Sequence, residues 1–215
     1  MGLEGAVRLG FRLAHGGGLQ GILDPGFEVA FHLQFADDEA GNDRYNARSH
    51  AQGWALGGSA LLIDRHGNDS YHALARAQGS AGPGGVALLI DADGDDRYTL
   101  APLPLQFPSS QLPERNLSMG QGAAMGVRAS ASDGRSLPGG LGALIDLSGD
   151  DHYEAGVFAQ GAGYFQSAGL LIDTGGSDRF DAAQHAAVAD TLARGGLQLS
   201  LLAVGRGLRG SLQGI

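Results

Sequence analysis

An eight-residue pattern, D-x-x-G-[NDS]-D-x-[YF], occurs five times in the chain and constrains its fold more than any other feature. The copies align without gaps; they begin at Asp38, Asp64, Asp91, Asp146 and Asp173 and end at Tyr45, Tyr71, Tyr98, Tyr153 and Phe180. The sequence numbers of successive terminal aromatics therefore differ by 26, 27, 55 and 27. A regular period of this size is typical of repeat proteins, in which each repeat buries its apolar surface against its neighbours.

The long interval, from Tyr98 to Tyr153, is interpreted as one enlarged repeat. A Gln-Gly pair follows the aromatic residue in four repeats, at Gln52-Gly53, Gln78-Gly79, Gln121-Gly122 and Gln160-Gly161. The glutamine follows the aromatic residue by 7 positions in three repeats, but Gln121 follows Tyr98 by 23 positions. The numbers of Gln121 and Asp146 differ by 25, where 12 or 13 is usual. We therefore expect insertions at about 100–116 and 129–138, and these contain five of the seven prolines.

Short apolar runs that end in aspartate precede four copies of the pattern, at 60–64, 87–91, 143–146 and 169–173. They are too short for helices and end in turn residues, so they indicate buried strands. The 38 glycines and 7 prolines among 215 residues also exclude a helical bundle. The predicted fold is all-β, a parallel β-helix or solenoid of about five 27-residue coils. Alternating apolar residues (Val29, Phe31, Leu33 and Phe35; Leu197, Leu199 and Leu201) predict capping strands in segments 1–36 and 191–215, around repeats in 37–190.

Charge and composition exclude several classes of function. The net charge is −9 and all 14 cationic side chains are arginine, which argues against nucleic acid or an anionic membrane as the partner. No apolar run approaches the length of a membrane-spanning helix, so no membrane span is expected, and no signal peptide is visible. The absence of cysteine excludes disulfides and thiolate sites, and is compatible with a bacterial exported protein.

The repeat predicts two columns of stacked aspartates. Coils about 4.8 Å apart bring equivalent carboxylates together, at a cost of about 3.5 kcal/mol per adjacent pair at an effective dielectric of about 20. A bound cation offsets this repulsion most directly, and oxygen ligands suit Ca²⁺. Glycine in the fourth position, and Asn or Asp after it, would tolerate a left-handed backbone. The predicted metal ligands are Asp38, Asp43, Asp64, Asp69, Asp91, Asp96, Asp146, Asp151, Asp173 and Asp178.

The pattern resembles the calcium-binding nonapeptide repeats of the repeat-in-toxin β-roll family, G-G-x-G-x-D-x-U-x. Segments 41–45 and 67–71 match its second half, with an aromatic residue as the large apolar one. The resemblance implies that the second aspartates of the pattern, Asp43, Asp69, Asp96, Asp151 and Asp178, bind calcium. The first glycine of the family pattern is aspartate here, which can add one carboxylate to each site. Calcium in turn favours an extracellular or cell-surface location, where its concentration is high.

Two alternatives to a metal remain at this stage. The aspartates can bond to the amides of their own turns as Asx-turns, which makes the repeat a metal-free scaffold. Arg44, Arg97 and Arg179, each after the second aspartate, can neutralise the columns, although adjacent strand residues point to opposite faces. The glutamine column is expected to form a side-chain amide ladder.

Two classes of function fit these features. The first is a calcium-stabilised structural, adhesive or binding module, with a polysaccharide or cell-surface component as partner and possible end-to-end self-association. The second is an enzyme acting on acidic polysaccharide, with a cluster near the insertions. Its candidate residues are Glu114, Arg115, Arg128, Asp133 and Arg135.

Overall fold

The computed structural model describes residues 9–14, 33–100, 105–106, 108–109, 112–128, 136–186 and 199–206. Every helix or strand assigned in these ranges is a β-strand, which confirms the all-β class. The described ranges contain no helix with the length and hydropathy needed to cross a membrane. The strands are β1 (Leu9–Ala14), β2 (Leu33–Asp38), β3 (Arg44–Asn46), β4 (Ser59–Asp64), β5 (Ser70–Ala73), β6 (Val86–Asp91), β7 (Arg97–Leu100), β8 (Leu117–Gly120), β9 (Ala124–Met125), β10 (Leu141–Asp146), β11 (His152–Ala159), β12 (Gly163–Tyr164), β13 (Ala168–Gly175), β14 (Arg179–Ala186) and β15 (Leu199–Arg206).

The first sheet has seven parallel strands in the order β1-β2-β4-β6-β10-β13-β15. Its register pairs equivalent residues of successive repeats, so that the first aspartates of all five patterns lie side by side. Strand β6 pairs directly with β10 across the long interval, which therefore adds no strand between them.

The second sheet contains β14-β11-β7-β5-β3, with β8 also beside β11, and β12 pairs with β9 in a small third sheet. All of these pairings are parallel. The register of the second sheet pairs the aromatic residues of the five patterns in one column. In the insertions, antiparallel bridges join Pro108 to Asn116 and Val127 to Leu137.

The core lies between the first and second sheets. Buried and partly exposed residues alternate along β4 and β6, as expected for strands with one face inward. The inward leucines, Leu62, Leu89, Leu144 and Leu171, pack against the aromatic column. Rings of that column are stacked 4.5–4.8 Å apart and within 4° of parallel. The predicted aromatic ladder is therefore confirmed, and the strand spacing sets the distance between its rings.

The turn glycines have positive φ, as expected for a backbone conformation that other residues rarely adopt. The φ angles of Gly41, Gly67, Gly94 and Gly149 are 148–158° and that of Gly176 is 108°, all larger than the left-handed helical value of about 57°. A Cβ added to Gly94 would lie 1.5 Å from the carbonyl oxygen of Gly67, so glycine is required because successive turns touch. The Asn or Asp after each glycine is not among the described residues with positive φ. Left-handed non-glycine residues occur instead at the glutamines, with φ of 52–58°.

The predicted capping segments are described only in part. Leu33 and Phe35 lie in β2, and Leu199 and Leu201 lie in β15. Strands β1 and β15 are the outermost described strands of the first sheet. Val29, Phe31 and Leu197 lie outside the described residues.

Candidate metal centre

The first aspartate column is formed where the strands of the first sheet end. Asp64, Asp91 and Asp146 are the last residues of β4, β6 and β10, while Asp173 lies within β13 and Asp38 ends β2. The alternation along each strand turns these side chains inward with the preceding leucines. All five are at most 4% exposed. The column is therefore buried beside the aromatic ladder.

The second column precedes the strands of the second sheet and is tied to neighbouring repeats. Asp96 Oδ1 accepts a hydrogen bond from the main-chain N–H of Asp69 at 2.6 Å, and Asp151 Oδ1 accepts one from Asp96 at 2.7 Å. Equivalent bonds join Asp43 to Asp69 and Asp151 to Asp178. These aspartates thus bind the amide of the adjacent repeat, whereas the Asx-turn alternative expected an amide of their own turn.

Tyrosine hydroxyl groups connect the first column to the aromatic ladder. Tyr71 Oη lies 3.1 Å from Asp64 Oδ2 and 2.7 Å from Asp91 Oδ2, and Tyr45 bridges Asp38 and Asp64 in the same way. A hydroxyl group has a single proton to donate. The shorter distance assigns that proton to the aspartate of the following repeat, so Tyr45 donates to Asp64 at 2.6 Å and Tyr71 donates to Asp91. The constant spacing of 7 between the first aspartate and the tyrosine of each pattern could have predicted this contact. The contact between hydroxyl and carboxyl groups was not predicted from the sequence.

Eight of the remaining carboxylate oxygens are buried and accept no hydrogen bond from an N–H or tyrosine O–H group. In the first column these atoms are the Oδ1 atoms of Asp38, Asp64, Asp91 and Asp146; in the second column they are the Oδ2 atoms of Asp43, Asp69, Asp96 and Asp151. Carboxyl groups of the two columns lie within hydrogen-bonding reach of each other inside a repeat, as Asp91 does with Asp96 and Asp146 with Asp151. An unpaired buried carboxylate is costly, so each column presents one row of oxygen atoms that need a shared proton or a cation.

Oxygens from the two columns meet in three groups that can hold a metal ion. The groups are Asp64/Asp69/Asp91, Asp96/Asp146/Asp151 and Asp151/Asp173/Asp178. Within each group, one ligand atom of every residue lies within 4.8 Å of the others. Every group joins two successive repeats, and Asp151 belongs to two groups. Eight of the ten predicted ligands are therefore brought together, whereas Asp38 and Asp43 lie outside these groups.

The buried position raises the pKa values of the carboxyl groups of Asp69, Asp91, Asp96, Asp146, Asp151, Asp173 and Asp178. Loss of hydration is the largest cause, and neighbouring aspartates add to it. The pKa of Asp91 rises to about 6, although hydrogen bonds from Tyr71 and Tyr98 lower it. The pKa values of Asp96 and Asp146 rise to about 9, that of Asp151 to about 8, and those of Asp69 and Asp173 to about 7. Without a cation, several carboxyl groups therefore hold protons at neutral pH.

The arginines beside the second column do not neutralise it. Arg44, Arg97 and Arg179 are exposed on the outer side of the second sheet. Arg97 pairs with Glu154 at 3.2 Å, and Arg179 pairs with Asp181 at 2.8 Å. This arrangement follows from the alternation of side chains along a strand, which separates each arginine from the buried aspartate before it.

The glutamine column binds the main chain, in place of the expected ladder between amides. Gln78 Nε2 donates hydrogen bonds to the carbonyl oxygens of Tyr71 at 3.0 Å and Thr99 at 3.2 Å. Gln52, Gln121 and Gln160 make the equivalent pair of bonds in their repeats. Each amide thus joins its own aromatic strand to that of the next repeat, and the bond is kept at Gln121 although an insertion separates it from Tyr98.

The residues of the candidate enzyme cluster either lie at the surface or fall outside the described residues. Glu114, Arg115 and Arg128 are exposed, whereas Asp133 and Arg135 lie outside the described residues. The buried aspartates are therefore the only predicted site whose residues the described structure brings together. Comparisons of the chain with models of protein families, with curated proteins and with solved structures gave no significant match.

Proposed function

We propose that this chain is a Ca²⁺-stabilised β-solenoid of about five 27-residue coils that acts as a structural, adhesive or binding module. The observation that carries the proposal is the row of buried, unpartnered carboxylate oxygens, gathered into groups at successive repeats. A cation at these groups replaces the protons that the carboxyl groups otherwise hold. It also removes the repulsion between stacked aspartates and links one repeat to the next.

The donor set favours calcium among the hard cations. In each group the available ligand atoms are carboxylate oxygens that lie within 4.8 Å of one another. Ca²⁺ takes about six to eight such oxygen ligands, whereas Mg²⁺ demands nearly ideal octahedral geometry and usually keeps several waters. Calcium also accepts irregular geometry and carboxylates shared between sites, and Asp151 is common to two groups.

Burial assigns the ion a structural role. The ten aspartates are at most 6% exposed, so a substrate in solution would not reach a cation held by them. We therefore place any recognition of a partner on the outer surface or the insertions. A polysaccharide or cell-surface component is the proposed partner, and an extracellular or cell-surface location, where calcium is abundant, is proposed with it.

Calcium content and thermal stability test the proposal together. Because the groups are buried, the protein is refolded from denaturant into either millimolar calcium or EDTA, at otherwise equal ionic strength. We expect up to three calcium ions per chain by elemental analysis after removal of free metal, and a higher melting temperature in calcium. Refolded protein that retains no calcium and melts identically in both buffers would contradict the proposal.

Terbium luminescence provides an independent measurement. The hydroxyl group of Tyr98 lies 2.7 Å from Asp146 Oδ2, so a Tb³⁺ ion bound to the same carboxylate is close to a stacked tyrosine ring. We expect tyrosine-sensitised emission from protein refolded with Tb³⁺, and competition by Ca²⁺. Emission that persists at saturating Ca²⁺ would place Tb³⁺ at other carboxylates and count against calcium here.

A further inference from the structure

The outward face of the first sheet is apolar across its four central strands, β4, β6, β10 and β13. Three outward positions per strand alternate with the inward ones. Eleven of these twelve residues are apolar and none is charged: Ser59, Leu61, Ile63, Val86, Leu88, Ile90, Leu141, Ala143, Ile145, Ala168, Leu170 and Ile172. We call this surface the aliphatic face.

The aliphatic face is ordered in columns because the strands are in register. Ile63, Ile90, Ile145 and Ile172 form one column of four identical side chains. These isoleucines are partly exposed, and Val86, in a neighbouring column, is 40% exposed. Among the residues that the structure describes, the face is thus a regular apolar surface that is partly exposed.

The outward face of the second sheet has a different chemistry. Arg97 pairs there with Glu154 at 3.2 Å, and His152 lies 3.1 Å from Asp181. That polar surface suits direct contact with water. Parallel strands that are apolar on both faces are usually covered on both faces. The contrast therefore indicates that a partner covers the aliphatic face.

We infer that the aliphatic face is a dimer interface between two copies of this chain. The whole sheet of seven strands, at about 4.8 Å spacing and at least six residues of about 3.3 Å per strand, spans about 670 Å², of which the four strands of the aliphatic face make up about 380 Å². The whole sheet thus approaches the roughly 800 Å² per partner of a standard stable interface, with the aliphatic face at its centre. The aliphatic face carries no charge, so two copies can meet there despite a net charge of −9. Beside it in β2, Asp37 is in register with Ile63 and pairs with Arg65 at 3.0 Å, as at the polar rim of an interface. A two-fold axis then stacks the sheets about 10 Å apart.

Analytical ultracentrifugation of the full chain tests this inference. We expect the wild-type protein to sediment at twice 21.9 kDa at tens of micromolar. Ile90→Arg places a charge in the centre of the face and is expected to shift the protein to monomer. The matched control is Ser70→Arg, on the outer side of the second sheet in register with Arg44 and Arg97, and it should remain dimeric. A monomeric wild type, or a dimer unaffected by Ile90→Arg, overturns the inference.

Distance measurements between copies keep the test independent of the folding of Ile90→Arg. The chain has no cysteine, so Ser59→Cys and Ser70→Cys each provide a single site for a spin label. Ser59 is exposed on the aliphatic face, and Ser70 belongs to the opposite sheet. We expect a shorter distance between copies from position 59 than from position 70. The reverse order, or no interaction between copies, overturns the inference. Calcium content should be the same in all variants, so this result stands apart from the metal proposal.

Discussion

Tyr98 Oη lies 2.7 Å from Asp146 Oδ2, although 48 residues separate the two in the chain. The same hydroxyl group lies 3.1 Å from Asp91 Oδ2, in its own repeat. The aromatic ladder and the first aspartate column thus form one hydrogen-bonded network. The protonation of the carboxyl groups, the binding of a cation and the stacking of repeats are therefore expected to depend on one another.

Substitution of one ligand separates the metal site from the turn. Asp96→Asn retains an Oδ1 atom that can accept the N–H of Asp69 but removes the charge that binds a cation. We expect the loss of about one calcium ion per chain and a smaller calcium-dependent rise in melting temperature. In EDTA at neutral pH the same variant should melt close to wild type, because the pKa of Asp96 is raised to about 9 and the side chain is already uncharged without a cation.

The neighbouring residue provides the matched control for that change. Asp95 is exposed, and its Oδ1 atom accepts the N–H of Asp150 at 2.9 Å. Asp95→Asn therefore also removes one negative charge, but at the surface, and should leave the calcium content unchanged. Equal calcium content in the Asp96→Asn variant and the wild type would remove Asp96 from the site.

The pH dependence of stability should reverse when calcium is added. The folded-state pKa values of Asp91, Asp146 and Asp151 are raised to about 6, 9 and 8, above the ordinary aspartate value of 3.8. The folded protein therefore binds more protons than the unfolded chain between about pH 4 and 9. In EDTA, the free energy of unfolding should fall as pH rises through this window and then level off.

Calcium competes with those protons, so its stabilising effect should grow with pH. Chemical denaturation at pH 5, 7 and 9, in calcium and in EDTA, measures both trends. Stability in EDTA that rises from pH 5 to pH 9 would show that the carboxyl groups are not held protonated in the folded state.

Removing one tyrosine hydroxyl group should destabilise the protein without breaking the aromatic ladder. Tyr98→Phe keeps the ring but leaves Asp91 and Asp146 without their shared donor. In calcium, where the carboxylates are ionised, loss of a buried hydrogen bond to a charged group costs about 1.5–3 kcal/mol. Phe180 already occupies the fifth position of the ladder, 4.5 Å from Tyr153, so the ring stack accepts phenylalanine.

Denaturant unfolding of Tyr98→Phe is best compared with Tyr164→Phe, which lies outside the ladder. The control should change the free energy of unfolding by no more than about 0.5 kcal/mol, the usual effect of substitutions outside such networks. Equal effects of the two substitutions would show that the bridging hydroxyl group contributes no specific stability.

Contact between successive turns predicts a strong effect of a single methyl group. Gly94→Ala would put Cβ 1.5 Å from Gly67 O, so the turns must separate. Gly57 has a φ of 61° and open space around its Cβ position, so Gly57→Ala isolates the backbone cost of about 1–2 kcal/mol. We expect Gly94→Ala to lower the melting temperature well beyond the Gly57→Ala control. Similar melting temperatures would mean that the turns are not in contact.

Several features of the fold could be predicted from the sequence because they depend only on spacing. The nearly constant period aligns each aromatic residue and each aspartate with its equivalent, and parallel strands preserve that alignment. The enlarged repeat between Tyr98 and Tyr153 did not disturb it, since β6 and β10 pair in the same register. Contact between successive turns was less predictable. Gly94 must be glycine because of the carbonyl oxygen of Gly67, in the preceding repeat, and local preferences carry no information about that contact.

The sequence by itself determined which residues stack, because a repeated spacing on parallel strands leaves only one register. Only the tertiary structure decided what the stacked groups contact. Packing of the two sheets brings the tyrosine hydroxyl groups to the first aspartates, and contact between turns directs the second aspartates to neighbouring amides. The unpartnered carboxylate oxygens and the aliphatic face are the groups that these contacts leave without a partner in the described structure. They depend on side-chain directions and sheet packing, which a one-dimensional pattern does not contain.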